Sequence, residues 1–305
     1  MAFDPRDPRS GLASLAPPAG APPHAVSAPA EYVKFYDLSP LEGAGGERTW
    51  YARGQNLVVG YTTADAGAAL SRADQPDEYM LLLLDAALRV VITTPSERVQ
   101  VDGSSLVIIP PGQSSVAVTS GGRLARVFSA RSTDLTDKCS NAASYETPHQ
   151  GVAAFEPWAD PPAGYRIRSY SIDVPTEPGR FGRIWRSTNL MVNWFQAVAG
   201  PRDVTRMSPH AHPHFEQCSL VVAGEYVHHI RWPWTTNLHD WRQDDHELCG
   251  SPSVTVIPPT SIHTSQAIGQ GTNHLIDIFA PPRVDFAEKP GWVLNAEDYP
   301  MPDAH

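Results

Sequence analysis

Several things are scarce in this chain, and each shortage removes a class of protein. Only three cysteines occur among 305 residues, Cys139, Cys218 and Cys249, and their spacing fits neither a zinc ribbon nor a disulfide framework. They read as buried thiols. No apolar run approaches the roughly eighteen residues a membrane helix requires, and the longest, Tyr79 to Leu84, is strand-sized. The opening Met-Ala-Phe-Asp-Pro-Arg-Asp-Pro lacks the apolar core of a secretory signal, so a cytoplasmic protein without a membrane partner is expected. The net charge of −10 comes without a basic stripe, which argues against nucleic acid as a partner. Helical periodicity is almost missing; Ala66 to Arg72 alone offers a short helical turn.

Proline is plentiful. Its 30 residues mostly bound short β-rich runs, which predicts many strands joined by turns. Such runs include Asn56–Thr62, Tyr79–Leu84, Leu88–Thr93, Ser105–Ile109 and Ser115–Thr119, and later Leu190–Phe195, Gln217–Val222, Tyr226–Ile230, Ser253–Ile257 and His274–Phe279. The chain accordingly divides into a flexible Pro/Ala-rich arm (1–30), a first β domain (31–135), an irregular connector (136–175) and a second β domain (176–305).

The two halves match in three places and in the same order. Ala52-Arg-Gly-Gln-Asn-Leu-Val-Val59 resembles Trp185-Arg-Ser-Thr-Asn-Leu-Met-Val192. Glu78-Tyr-Met-Leu-Leu-Leu-Leu84 resembles Glu216-Gln-Cys-Ser-Leu-Val-Val222, and Val107-Ile-Ile-Pro-Pro111 resembles Thr255-Val-Ile-Pro-Pro259. Three matches in register are the mark of a duplication.

The second half carries the chemistry-bearing stretch, Met207-Ser-Pro-His-Ala-His-Pro-His-Phe-Glu216, answered by His263. Side chains alternate along a strand, so His210, His212, His214 and Glu216 share a parity and His263 joins them from a partner strand. Neutral imidazoles with one carboxylate are the donors a divalent first-row metal takes. Twelve histidines would cluster somewhere by chance, and a lone His-x-His is then a solvated edge. The duplication weighs against chance: Arg72, Asp74 and Ser115 stand where His210, His212 and His263 stand, so all three vanish together.

With these residues in view the chain resembles a two-domain cupin, a bicupin. His210-Ala-His212, then Glu216 and Gly224, is similar to the first cupin motif, with the Glu–Gly spacing one residue long; Gly250, Pro258, Thr260 and His263 are similar to the second, with Thr260 in place of glycine. The resemblance implies two antiparallel jelly-roll barrels, the first without metal ligands. It also implies one divalent metal held by His210, His212, Glu216 and His263: Fe(II) foremost, with Mn, Ni, Zn or Cu as alternatives.

Four ligands leave two adjacent positions for a small-molecule substrate, alone or with dioxygen. The leading expectation is a mononuclear nonheme Fe(II) dioxygenase acting on a small acidic or aromatic metabolite. The alternatives are a Mn, Ni or Zn decarboxylase, isomerase or hydrolase, and a non-enzymic binding cupin. Arg206 is a candidate clamp for a substrate carboxylate. Gln266 is a further candidate, at a place where the second motif often has Asn. His214 could ligate, act as an acid or base, or face the barrel mouth; Pro213, which breaks the strand parity, favours a supporting or exposed role. At most one of His228 and His229 can point inward, and the aromatics between Arg231 and Trp241 could cover a ligand. A homodimer is expected, as cupins commonly associate through neighbouring barrels.

Overall fold

The computed structural model describes residues 27–235 and 237–301. The expected flexible arm lies outside the described residues except at its C-terminal end. The rest is two tandem antiparallel jelly-roll barrels. A seven-stranded sheet from the first half (Leu57–Ala64, Tyr79–Leu83, Ser105–Ile109 and Gly122–Ser129 among its strands) closes against a four-stranded sheet. A second seven-stranded sheet (Met191–Trp194, Gln217–Ala223, Ser253–Ile257 and Thr272–Phe279 among its strands) closes against a three-stranded one. Ala66 to Arg72 makes no helix, because Ala69–Gln75 is a strand paired with Gly112–Ser120. Among the described residues no helix is long and apolar enough to cross a membrane.

The two large sheets pack against each other, so their strands are buried on both faces and read as nearly continuous apolar runs. Along Tyr79–Leu83, Met80 and Leu82 join the core shared by the halves, while Tyr79, Leu81 and Leu83 fill the first barrel. Burying each such aliphatic side chain contributes about 1.5–3 kcal/mol. Along Gln217–Ala223 the same alternation sends Cys218, Leu220 and Val222 into the shared core. Gln217 and Ser219 then face inward where the first barrel has Tyr79 and Leu81. That polar end of one strand is where the two barrels part in character.

Each half also borrows a strand from outside its own stretch of sequence. Glu31–Lys34 pairs with Ser253–Ile257 at the edge of the second sheet, and Arg168–Ser171 pairs with Ser105–Ile109 at the edge of the first. Both strands pair across the ranges drawn from composition, 31–135 for the first domain and 136–175 for the connector. An open sheet edge exposes unpaired N–H and C=O groups, and the exchange covers one edge in each half. The Tyr32 hydroxyl donates to Asp245 at 2.8 Å and Lys34 meets Glu247 at 2.6 Å, fixing the register.

Candidate metal centre

His210 and His263 lie opposite each other in an isolated antiparallel bridge, with N–H···O contacts of 3.0 and 2.8 Å in the two directions. The Nδ1 of His210 faces the Ser208 carbonyl at 3.0 Å, and that of His263 faces the Ser261 carbonyl at 3.1 Å. A carbonyl only accepts, so each proton sits on Nδ1 and each lone pair on Nε2. His212 completes the group; ring centroids are 4.4 to 4.9 Å apart, and one ligand-capable atom from each residue lies within 4.8 Å of the others. All three are buried. Burial, with the nearby Arg283 and the other two imidazoles, holds His212 well below the usual histidine range. Neutral, convergent imidazoles are the form a metal requires. Among the described residues no other group of three His, Cys, Asp or Glu converges in this way.

Glu216 does not join them. Its carboxylate turns toward the first half, where Oε2 accepts from the Gln55 N–H at 2.6 Å and Oε1 lies 3.3 Å from the Tyr145 hydroxyl and 3.4 Å from His149 Nδ1. The reason is parity. The chain bends at Pro213-His214, so the strand beginning at Gln217 presents Glu216 and Cys218 to the interface and Gln217 to the barrel interior.

Gln217 occupies the place expected of the glutamate. Its Oε1 lies 2.9 Å from His212 Nε2, its Nε2 donates to Ser219 Oγ at 3.0 Å, and Ser219 Oγ donates to Asp277 Oδ1 at 2.6 Å. This chain settles the amide orientation. An ionised Asp277 only accepts, so it takes the single Ser219 hydroxyl proton, and Ser219 must accept from the Gln217 amide N–H. The carbonyl oxygen therefore faces the histidines. That oxygen accepts the His212 Nε2–H, and a cation would take the place of this proton, since adjacent donors with bonds of about 2.1 Å stand roughly 3 Å apart. The signal was present in the sequence, because the motif spacing to Gly224 that is one residue long from Glu216 is regular from Gln217.

A cavity of about 470 Å³ opens from the trio, with His210, His263, Gln217 and Asp277 in its wall. Tyr226, Ser265, Leu275 and Phe195 line it further out. Arg202 lends positive charge, its head held by the carbonyls of Ser265 and Arg206 and by Ser208 Oγ. The three sequence candidates lie elsewhere. Arg206 is exposed on a 3-10 turn, His214 is exposed at the bend, and Gln266 faces the outer side of its strand, 3.0 Å from His229 Nε2. Gln266 differs in parity from His263, so a strand carrying one inward carries the other outward. The adjacent pair divides likewise: His228 is fully buried with Nδ1 2.9 Å from Ser265 Oγ, while His229 points out to His246. Trp234 and Trp241 stack on each other at 4.4 Å and form no part of the cavity wall.

Thr260 adopts φ +68, in the left-handed region that favours glycine, and its duplicate Gly112 has φ +95. The turn shape before His263 is thus kept in both halves, and in this one a β-branched residue carries the strain.

No family model matches the sequence, and no curated protein does. Solved structures do. An oxalate decarboxylase variant of Bacillus subtilis superposes with a TM-score of 0.56 at 15% identity, over 85% of this chain and 81% of that one. The formate complex of Lactobacillus farciminis oxalate decarboxylase gives 0.54 at 15% identity, over 83% and 86%. At such identity the likeness establishes the fold, a pair of cupin barrels. The chemistry must come from the residues themselves.

Proposed function

We propose that the second barrel holds one divalent transition metal, manganese foremost, through His210, His212 and His263 with the Gln217 carbonyl oxygen as a fourth donor. On this reading the protein decarboxylates a small carboxylate without consuming oxygen. The hydrogen-bonded chain Gln217–Ser219–Asp277 beside the three imidazoles carries the proposal. It turns a neutral oxygen toward the histidines and sets a carboxylate in the same cavity wall.

All four donors are neutral, so the cation's full charge would remain to polarise a substrate carboxylate as a Lewis acid. Arg202 adds attraction for an anion at the cavity wall. Asp277, an acceptor from the Ser219 hydroxyl, is placed to take the proton of the substrate's carboxyl group and return it to the carbon that loses carbon dioxide. Phe195 and Leu275 keep water away from that step. An Fe(II) dioxygenase, the leading expectation from the family resemblance, is set behind this reading because the named structural neighbours are decarboxylases. The first barrel, with Arg72 and Ser114 at the bridge corresponding to His210 and His263, is read as a copy without metal. A homodimer remains part of the proposal.

The test is metal analysis of the purified protein, followed by a screen of small mono- and dicarboxylates for carbon dioxide release. Release without stoichiometric oxygen uptake supports the reading. Turnover by the iron-loaded protein with one oxygen consumed per substrate overturns it in favour of the dioxygenase.

A further inference from the structure

The register of the two halves places Arg126 in the first barrel where Asp277 stands in the second. Arg126 pairs with Gly60 and Leu81 in its sheet, and Asp277 pairs with Asn193 and Ser219, the duplicates of Gly60 and Leu81. One barrel therefore carries an inward acid and the other an inward base at the same point of the fold.

Arg126 is 5% exposed. Its Nη2 donates to the Tyr51 hydroxyl at 3.1 Å, its Nε is buried with no partner, and its head lies 5.5 Å from the Phe128 ring centroid. No carboxylate among the described residues pairs with it. A buried charge left without a counter-charge is costly by several kcal/mol, so such a group persists where something supplies the missing anion.

The guanidinium lies in the wall of a cavity of about 240 Å³, together with Tyr51, Thr49, Arg72, Leu135 and Lys138. Arg72 is already committed: it binds Asp134 through both terminal nitrogens at 2.6 and 2.8 Å and Gln75 through Nε at 2.7 Å. Arg126 is thus the cation with capacity to spare at depth, with Lys138 exposed further out. Glu42 and Glu47 also line the cavity, and Glu47 Oε2 accepts from the Gly45 N–H at 3.0 Å.

We propose that the first barrel is a binding site for a small organic carboxylate, seated on Arg126 and the Tyr51 hydroxyl. The planar guanidinium edge matches a planar carboxylate. A phosphate dianion would need more positive charge than one deep arginine offers between two glutamates. This site is independent of the metal chemistry assigned to the second barrel.

The experiment is calorimetric titration of the full-length protein with acetate, lactate and inorganic phosphate, in the wild type and in His212→Ala, Arg126→Gln and Tyr51→Phe. On the His212→Ala background, where the second barrel's site is broken, the expected result is one carboxylate per chain, bound at least tenfold more weakly once Arg126→Gln is added. If Arg126→Gln does not fold, Tyr51→Phe decides, with a loss of about threefold expected. Binding that needs His212, that survives Arg126→Gln or Tyr51→Phe unchanged, or that occurs with phosphate alone overturns the proposal.

Discussion

Glu78 and Glu216, duplicates of one another, latch the two barrels together from opposite sides. Glu78 Oε2 accepts from Thr188 in the second half, from its N–H at 3.2 Å and its hydroxyl at 3.0 Å, while Glu216 Oε2 accepts from the Gln55 N–H in the first. Thr188 and Gln55 are themselves duplicates. A tyrosine supports each carboxylate, Tyr299 for Glu78 at 2.6 Å and Tyr145 for Glu216 at 3.3 Å. Glu216→Ala should therefore leave metal content unchanged and lower stability by about 1–3 kcal/mol, because it strands the half-buried Gln55 N–H. Urea denaturation with metal analysis of the same sample checks both halves of that expectation, and loss of metal would return Glu216 to the site.

His212→Ala and His263→Ala should each abolish metal binding while the far-ultraviolet circular dichroism stays that of the wild type. Ser114→Ala and Ser115→Ala should alter neither. The bridge facing Arg72 falls at Ser114, one residue before the position the sequence alignment matched to His263. Both serines therefore belong in the control.

Gln217→Ala removes the fourth donor and leaves Ser219 without its amide partner. Metal affinity should fall ten- to a hundredfold. Asp277→Asn keeps the donor set, so metal content should hold while turnover drops at least a hundredfold. An Asp277→Asn variant with wild-type turnover would remove the carboxylate from the reaction.

Burial keeps the His228 imidazole neutral, down at about 3 against 6.5 for the exposed group, with the neighbouring His263 and His229 adding to the effect. Unfolded chains take up a proton here below about pH 6.5 and the folded protein does not. This contribution to stability is complete above pH 6.5 and is lost as the pH falls toward 3. Replacing His228 with Asn should flatten the acid limb of stability against pH, measured by denaturant titration between pH 4 and 8. An unchanged limb would show that other groups set it.

The strain at Thr260 gives a gain-of-stability prediction. Thr260→Gly should raise stability by about 1 kcal/mol, since relief of a left-handed β-branched residue outweighs the added freedom of the unfolded glycine. A loss of stability would mean that the Thr260 side-chain contacts outweigh its backbone conformation.

Strand order, duplication and the histidine trio were legible because they rest on local patterns: period-two runs, matched segments and an alternating stretch. What escaped was set by bends and by distant partners. Pro213-His214 breaks the alternation that assigned Glu216 inward, and Gln217 took the inward position one residue later. Glu216 reads as a ligand from its parity with the histidines and its place in the motif, yet it and Glu78 share an interface role that only the packed sheets reveal. Arg206 was chosen by nearness along the chain and Gln266 by its place in the motif, whereas Arg202 reaches the cavity. Asp277 did leave a trace, as a lone acid inside an apolar run.

The traded edge strands bear on how the molecule is made. Glu31–Lys34 is translated ahead of the first barrel, yet its pairing partner, Ser253–Ile257, follows only after that barrel is complete in sequence. Until then the segment has no docking place, and a ribosome stalled between the barrels would hold a first sheet still lacking Arg168–Ser171 or a second one not yet begun. The edge of the second sheet is thus closed by a strand made long before it, and a nick in the linker should leave the pieces interlocked.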